Sequence, residues 1–314
     1  MNELVLPFSS LSKASVAIAG GKGAQLGEMT SAGIPVPPGF VVTVASFDEF
    51  IKVNALGERI AAELSKVDQH DMASVDAASE KIRGMIMAGK TPAAVEQAIV
   101  SQFDSLGARF VAVRSSATAE DAGTASWAGE LESYLNTTKD TLLDTVKKCW
   151  ASLFTPRAIF YRFEKGMAKA QVSVGVVVMK MVDSEVSGVA FTVNPVTKDR
   201  GQMVIEAGLG LGEAIVGGLI TPDNFVIDKA EEMLLDVQVN EQEEMIVRGP
   251  TGGTQHVTVP QDERSRQKLS GMQALELARL CKRIESHYGS PQDIEWALEA
   301  GKFYVVQSRP ITTL

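Results

Sequence analysis

The last stretch of the chain alternates polar with apolar residues and predicts a β-hairpin around a tight loop at residues 300–302. In that register Glu295 lies opposite Gln307, and Asp293 lies opposite Arg309. Opposed residues on paired strands share a face, so one side of the hairpin carries two carboxylates, an amide and a guanidinium. Oxygen ligands of this kind suit Mg²⁺, and a neighbouring arginine suits an anionic phosphate.

The opposite face of the hairpin is predicted to be apolar and to fill the core. It carries five side chains: Ile294, Trp296, Leu298, Tyr304 and Val306. A register slip of one residue would mix polar groups with these core groups, which a half-buried hairpin resists. The same pattern also describes an amphipathic edge hairpin with a cross-strand ion pair on its wet face, so the hairpin alone leaves both interpretations open.

A glycine-rich segment near the N-terminus carries a lysine at a predicted helix start, in the order Gly20-Gly21-Lys22-Gly23. Glycine lets the backbone approach a ligand closely, and the N–H groups of a helix start favour an anion. The spacing is not that of a P-loop. The segment therefore predicts either a phosphate contact or a tight turn with its lysine in solvent.

Arg114 ends a buried-looking strand, where it suits a cleft at the strand ends or a structural ion pair. The loop that follows, residues 117–129, is rich in small residues and predicts either a lid over phosphates or a plain surface loop. Glu213 lies in the turn GLGLGEA. It is predicted either to contact a sugar hydroxyl or to be a carboxylate that interacts with the helix dipole.

Strands with inserted helices throughout the chain predict a mixed α/β protein. Residues 14–19 are predicted to form a short strand that runs into the glycine-rich segment. Residues 46–105 are predicted to be mostly helical cover, and a capping box at Ser46 is predicted to begin the first helix.

The second half of the chain predicts more strands and one long helix. Residues 172–182 are almost continuously apolar and predict a strand buried on both faces, which pairs with the next strand after a turn at 183–185. A meander of strands is predicted over 224–259 and a helix over about 262–288. The C-terminal hairpin then follows.

Composition narrows the classes of function. The chain has 314 residues and a net charge of −9, which argues against a nucleic-acid surface. Its apolar runs and N-terminus predict no membrane span and no signal peptide. Cys149 and Cys281 each lie in an apolar helical stripe and are predicted to be core residues, which fits a reduced, cytoplasmic setting. The three histidines are scattered without metal spacing.

The segments described above, in this order, resemble the N-terminal nucleotide-binding module of the phosphoenolpyruvate synthase and pyruvate phosphate dikinase family. Rifampin phosphotransferases and the ATP-binding subunit of phenylphosphate synthase are similar in the same region. The resemblance covers essentially the whole chain and is carried by six segments: GGKGAQLGEM (20–29), IPVPPGFVVT (34–43), VAVRSSATAEDA (111–122), KMVDSEVSGVAFTVNPVT (180–197), IEAGLGLGEAIVGGLITPDNFVID (205–228) and DIEWALEAGKFYVVQSRPIT (293–312).

This resemblance implies an ATP-grasp fold, in which two lobes around a nucleotide cleft hold ATP. The first lobe would comprise residues 1–182 and the second residues 183–314. Three residues would be catalytic through their contacts with phosphates. Lys22 would contact the phosphates, Arg114 would hold those undergoing transfer, and Arg309 would clamp a phosphate.

The resemblance also implies the remaining contacts to Mg²⁺ and ATP. The backbone of Met181 and Val182 would bind adenine, and Glu213 would bind ribose. Three residues would form the metal site: Glu295 and Gln307, with Asp293 nearby.

Three positions depart from the pattern of the family. Glu130 and Ser133 stand where relatives often carry Gln and Thr, and an extra negative charge near phosphates is unfavourable, which puts the lid contacts in question. Met179 stands where Gln is common before the adenine-binding segment, so a polar contact near adenine would be lost.

In this family ATP phosphorylates a histidine on a separate swivelling domain, which carries the phosphoryl group to a third, acceptor-binding domain. None of the three histidines here lies in the TSHAA-like motif of such a domain. The chain is therefore expected to act with these two partner domains and to form AMP and phosphate, with pyruvate as the acceptor. The alternatives are phenol or rifampin as the acceptor, a direct ATP-grasp ligase, and a non-catalytic nucleotide sensor.

Overall fold

The computed structural model describes residues 3–118, 132–166 and 173–312. It divides into two compact units, each of which is described by itself. The first unit comprises Met1–Glu28 and Pro38–Met181, and the second comprises Met29–Pro37 and Val182–Leu314. Both units combine helices with antiparallel sheets, so the predicted mixed α/β class is confirmed.

The first unit is built on a five-stranded antiparallel sheet in the order β1-β2-β5-β3-β4. Its strands are β1 (Val5–Pro7), β2 (Gly39–Val42), β3 (Val111–Ala117), β4 (Ser133–Thr137) and β5 (Val174–Lys180). The central strand β5 is buried along its length except at Lys180, as the continuous apolar pattern predicts.

Helices cover this sheet. They are α1 (Val16–Ser31), α2 (Val44–Val53), α3 (Gly57–Leu64), α4 (Met72–Ala88), α5 (Ala93–Leu106), α6 (Lys139–Ala151) and α7 (Pro156–Glu164). The largest side chain in the core between helices and sheet is Trp150, whose ring lies 4.8 Å from that of Phe50 and 6.0 Å from that of Phe47. The predicted helical cover over 46–105 is confirmed.

Two local predictions in the first unit are wrong. Residues 14–19 are helical rather than extended, because Ser12 caps a short 3₁₀ turn that continues into α1. Helix α2 begins two residues before Ser46. The Ser46 side chain is buried and donates to the Leu4 carbonyl at 2.7 Å, so it does not cap a helix.

The second unit contains a six-stranded antiparallel sheet in the order β13-β12-β6-β7-β8-β9. Its strands are β6 (Val186–Phe191), β7 (Gln202–Leu209), β8 (Asp223–Asp228), β9 (Met233–Gln238), β12 (Gln292–Glu299) and β13 (Lys302–Pro310). A separate hairpin is formed by β10 (Glu244–Arg248) and β11 (Thr254–Thr258). The helices of this unit are α8 (Glu213–Val216) and α9 (Gly271–Tyr288).

Two further predictions, a strand pairing and a helix start, also require correction. The apolar strand β5 does not pair with β6, because both edges of β6 are already paired, one with β7 and the other with β12. Helix α9 begins at Gly271 rather than near residue 262. Ser270 accepts from the Gln273 N–H and forms a capping box there, which fixes the helix start.

The remaining expectations concern cysteines and membrane segments. Cys149 and Cys281 are buried free thiols, as predicted for core residues. No helix in the described part of the chain is long and apolar enough to cross a bilayer.

Candidate functional site

The C-terminal hairpin brings together four of the predicted site residues. Glu295 lies opposite Gln307, and Asp293 lies opposite Arg309, as the alternation predicts. The pairing of β12 with β6 on its other edge holds this register, because a slip would disturb both ladders.

The turn of the hairpin differs from the prediction. It is a two-residue turn at Ala300 and Gly301, both with positive φ, and a bulge opposite the step from Glu295 to Trp296 restores the predicted pairs beyond it. The expected register thus holds at the polar residues but not near the turn.

This bulge changes which side chains fill the core. Trp296 pairs with Val305, and Phe303 and Val305 are buried. Tyr304 and Val306, which the sequence predicts as core residues, are only half-buried. The error arises because an unrecognised bulge inverts the faces of the residues between it and the turn.

The pair formed by Asp293 and Arg309 is a close ion pair. Both Nε and Nη2 of Arg309 lie 2.8 Å from Oδ2 of Asp293, while about half of the arginine side chain remains exposed. Burial raises the pKa of the Asp293 carboxyl, and Glu295 adds to the rise, whereas Arg309 opposes it. A cation added near this carboxylate would therefore be favoured.

A further carboxylate, Glu206, lies on the same sheet face and was not singled out from the sequence. Glu295 is opposite Val189 on β6, which in turn is opposite Glu206 on β7, so the three residues share a face. Burial raises the pKa of Glu206, and the charge of Asp293 raises it further. Its signal in the sequence is that it is the only charged residue of the strand QMVIEAGL.

The donor set of this face fits Mg²⁺. Glu295 and Gln307 offer adjacent carboxylate and amide oxygens, which are hard ligands. No three His, Cys, Asp or Glu side chains in the described ranges are close enough to hold a metal ion by themselves. Mg²⁺ in nucleotide enzymes is commonly held by one or two carboxylates and completed by phosphates and water, so two adjacent donors are sufficient.

In the first unit, the glycine-rich segment contacts the end of β3. Gly20 adopts φ 70°, and a Cβ there would lie 2.0 Å from the Ser116 carbonyl oxygen. The Gly23 N–H donates to the Ser116 hydroxyl at 3.1 Å. Lys22 lies in α1 two residues after the kink at Gly20 and is half-buried, so the segment is not a loose surface turn.

Arg114 lies on β3 two residues before Ser116 and therefore on the same face of the sheet. It is half-buried, and its Nε donates to the hydroxyl of Ser133 on β4 at 3.4 Å. The structure thus brings the backbone of the Lys22 segment to the strand face that carries Arg114. Ser133 therefore places a hydroxyl beside this arginine.

The residues predicted to surround adenine and ribose have simple environments. The Met181 N–H donates to the Phe110 carbonyl at 3.0 Å, and Val182 is buried. Met179 is buried on β5, and Glu213 is the exposed first residue of α8. The predicted lid residues 119–129 and Glu130 lie outside the described residues.

Comparison with known proteins identifies the family of this chain. The family model "Pyruvate phosphate dikinase, AMP/ATP-binding domain" matches residues 16–314. The chain belongs to this family. The suspected family relationship and its ATP-grasp type of fold are thereby confirmed.

Three relatives illustrate this membership. The chain is 45% identical to a probable phosphoenolpyruvate synthase of Methanocaldococcus jannaschii, covering 98% of this chain and 26% of the relative. It is 42% identical to the phosphoenolpyruvate synthase of Pyrococcus furiosus, with 98% and 43% coverage. It is 40% identical to the rifampicin phosphotransferase of Bacillus subtilis, with 100% and 36% coverage. The chain thus spans less than half the length of these relatives.

Proposed function

We propose that this chain is the ATP-binding part of a dikinase-type phosphotransferase, which uses Mg²⁺-ATP to phosphorylate a histidine on a partner domain. The observation that carries the proposal is the polar hairpin face, with Glu295 beside Gln307 and Asp293 beside Arg309, in a member of an AMP/ATP-binding domain family. Support also comes from relatives named as phosphoenolpyruvate synthases and a rifampicin phosphotransferase.

The roles are those that the family resemblance implies, and the charges of the side chains suit them. Lys22 and Arg114 neutralise phosphate charge from the first unit, and Arg309 clamps a phosphate from the second. Catalysis of this kind consists mainly of positioning and charge neutralisation, because the protein forms no covalent bond to the phosphoryl group in this step other than at the accepting histidine.

Glu295 and Gln307 would hold Mg²⁺, with Asp293 nearby. When bound, the ion would neutralise negative charge that develops on the phosphates during transfer. Arg309 is paired with Asp293 at 2.8 Å, so the same hairpin would supply a positive side chain next to the metal ligands. The backbone of Met181 and Val182 would bind adenine, and Glu213 would bind ribose.

The net reaction consumes ATP and water and leaves phosphohistidine, AMP and phosphate. The histidine ring nitrogen gains the β-phosphoryl group, the bond to the α-phosphate breaks, and the γ-phosphate is released by hydrolysis. The accepting histidine belongs to a swivelling domain, and an acceptor-binding domain completes the cycle. Because the relatives cited with the highest identities are named phosphoenolpyruvate synthases, we take pyruvate as the final acceptor.

A product analysis tests this function. The purified chain is incubated with Mg²⁺-ATP, with and without the phosphohistidine domain of its parent protein or genomic neighbour, and nucleotides are separated by chromatography. AMP that forms only with the added domain supports the proposal. The matched control is the same domain with its histidine replaced by alanine, which should form no AMP.

Two other outcomes would contradict the proposal in different ways. ADP formed by the chain alone would indicate a direct kinase or an ATP-grasp ligase, which transfers the γ-phosphoryl group. ATP binding without hydrolysis, even with the cognate histidine domain present, would indicate a nucleotide sensor.

A further inference from the structure

The glycine-rich segment at residues 209–213, which joins β7 to α8, is fixed by hydrogen bonds from side chains elsewhere in the second unit. The hydroxyls of Ser187 and Ser184 donate to the Gly210 carbonyl at 2.6 and 3.0 Å. Ser187 is almost fully buried. Side chains outside the segment therefore hold it in place, in addition to the backbone geometry of its own turn.

Gln242 makes the most specific of these contacts. Its Oε1 accepts the Leu209 N–H at 2.8 Å, and its Nε2 donates to the Leu209 carbonyl at 3.0 Å and to the Glu244 carbonyl at 2.9 Å. Only 1% of Gln242 is exposed. A primary amide has one acceptor oxygen and two donor hydrogens, and here each of them is matched to a backbone group.

A buried charge network fixes the backbone two residues before Gln242. The ammonium of Lys268 lies 3.0 Å from Asp223, and neither side chain is exposed. The same ammonium donates to the Asn240 carbonyl, and the Asn240 N–H donates to Asp223 at 2.9 Å. These bonds fix the backbone of Asn240 at the Lys268–Asp223 pair. The side chain of Gln242, two residues later, therefore approaches Leu209 from a rigid backbone.

Helix α8 cannot fix the direction of Glu213 by itself. It has four residues, and Glu213 at its start is exposed. The preceding glycines have wide conformational freedom, and Gly210 adopts φ 85° where a Cβ would lie 2.5 Å from the Ile246 carbonyl oxygen. The direction of Glu213 therefore depends on how firmly the segment before it is held.

We infer that Gln242 is a positioning residue for nucleotide selection, which fixes the 209–213 segment so that Glu213 meets the ribose hydroxyls. This inference rests on the proposed function, in which Glu213 binds ribose. In this role Gln242 does not contact the nucleotide. Its loss is expected to reduce the preference for ribose over deoxyribose more than it reduces nucleotide binding as such.

The test compares ATP with 2′-deoxy-ATP by titration calorimetry of the full chain in Mg²⁺. The wild type should prefer ATP by about tenfold, the usual effect of one hydrogen bond to a charged group. Gln242→Met should reduce this preference to about threefold or less and change the affinity for 2′-deoxy-ATP by less than about threefold. Glu213→Gln should reduce the preference similarly, and the double variant should reduce it no further.

The matched control is Gln255→Met, which changes an exposed glutamine of β11 in the same unit and should leave the preference intact. An equal loss of affinity for both nucleotides in Gln242→Met, or an unchanged preference, would show that Gln242 only stabilises the fold. If that variant does not fold, Ser187→Ala removes a single bond to the same segment. It must then lower the preference, and an unchanged preference would overturn the inference.

Nucleotide binding by the wild-type chain distinguishes a failure of this inference from a failure of the proposed function. Binding of ATP and 2′-deoxy-ATP with equal affinity would overturn the ribose selection and leave ATP binding intact. Binding of neither nucleotide would overturn the proposed function together with this inference.

Discussion

At the scale of single residues, the proposed phosphate binding in the first unit depends on Lys22 and Arg114. Lys22 lies in α1 between Gly20 and Gly23, whose contacts with Ser116 fix this segment. Arg114 lies two residues before Ser116 on β3. A positive charge held on a rigid element stabilises a phosphate without the cost of ordering a mobile loop.

Lys22→Ala and Arg114→Ala are each expected to lower the rate of phosphoryl transfer to the histidine domain by more than about a hundredfold. Each substitution removes a positively charged side chain that contacts the phosphates in the proposed site. Circular dichroism should show an unchanged fold. Lys52→Ala and Arg59→Ala, which change exposed residues of the same unit, serve as controls. Unchanged turnover in both site variants would disprove the assignment.

Glu295→Gln is expected to weaken Mn²⁺ binding in the presence of a non-hydrolysable ATP analogue by about tenfold or more, because it removes the anionic ligand of the proposed metal site. Electron paramagnetic resonance of free Mn²⁺ measures the change without any turnover. Glu241→Gln removes an exposed carboxylate of the same unit and should have no effect. Equal Mn²⁺ affinities for the two variants would place the metal elsewhere.

The environment of Glu206 predicts how the stability of the folded protein changes with pH. Burial, with a smaller effect of Asp293, raises the pKa of the Glu206 carboxyl in the folded state. The folded protein then holds the proton more tightly than the unfolded chain, so stability is lost as pH rises from the ordinary carboxyl pKa through the raised one. In metal-free buffer, Glu206→Gln should be more stable than the wild type at neutral pH and similar to it in acid.

Urea unfolding of both proteins between about pH 4 and about pH 7 measures this difference in the free energy of unfolding. Parallel pH profiles would show that the Glu206 carboxylate is not destabilised. The residue was missed from the sequence because its neighbours in space, Glu295 and Asp293, lie on a strand far away in the chain, and only the sheet order brings them together.

At the scale of elements, the glycine-rich segment at residues 20–23 is held by its close steric fit against Ser116 at the end of β3. A methyl group at Gly20 would overlap the Ser116 carbonyl and would need a left-handed backbone that L-residues avoid. Gly20→Ala is therefore expected to reduce the free energy of unfolding by about 2 kcal/mol or more.

Gly84→Ala is the matched control for this prediction. Gly84 lies inside α4, and a Cβ there would meet no atom within 4 Å. The substitution is expected to be neutral or to stabilise the protein by up to about 1 kcal/mol, because alanine favours the helix. Equal urea midpoints for the two variants would contradict the close approach at Gly20.

Local patterns predicted the elements better than their pairing. The alternation along the final hairpin gave the correct register at Glu295 and Gln307, because opposed polar residues must share a face. The bulge near Val306 was not predictable, because residues 303–306 are all apolar and a shift of the alternation by one residue leaves no trace among them. The pairing of β5 with β6 was wrong because adjacency in the chain does not determine which sheet a strand joins.

At the scale of the whole molecule, two compact units carry different parts of the proposed chemistry. The first contributes Lys22 and Arg114, and the second contributes the hairpin and Glu213. The order of the six recognised segments along the chain indicated the family, which the match over residues 16–314 then established. We expect the final acceptor to bind outside these residues, because the chain spans less than half the length of its relatives.

The most direct measurement uses ATP labelled with radioactive phosphorus in the β position, incubated with the chain and its cognate histidine domain. If the proposed function is correct, label moves to that domain in a base-stable, acid-labile form and AMP appears in equal amount. Label that remains in ADP, with none on the histidine domain, would contradict transfer of the β-phosphoryl group and with it the central claim.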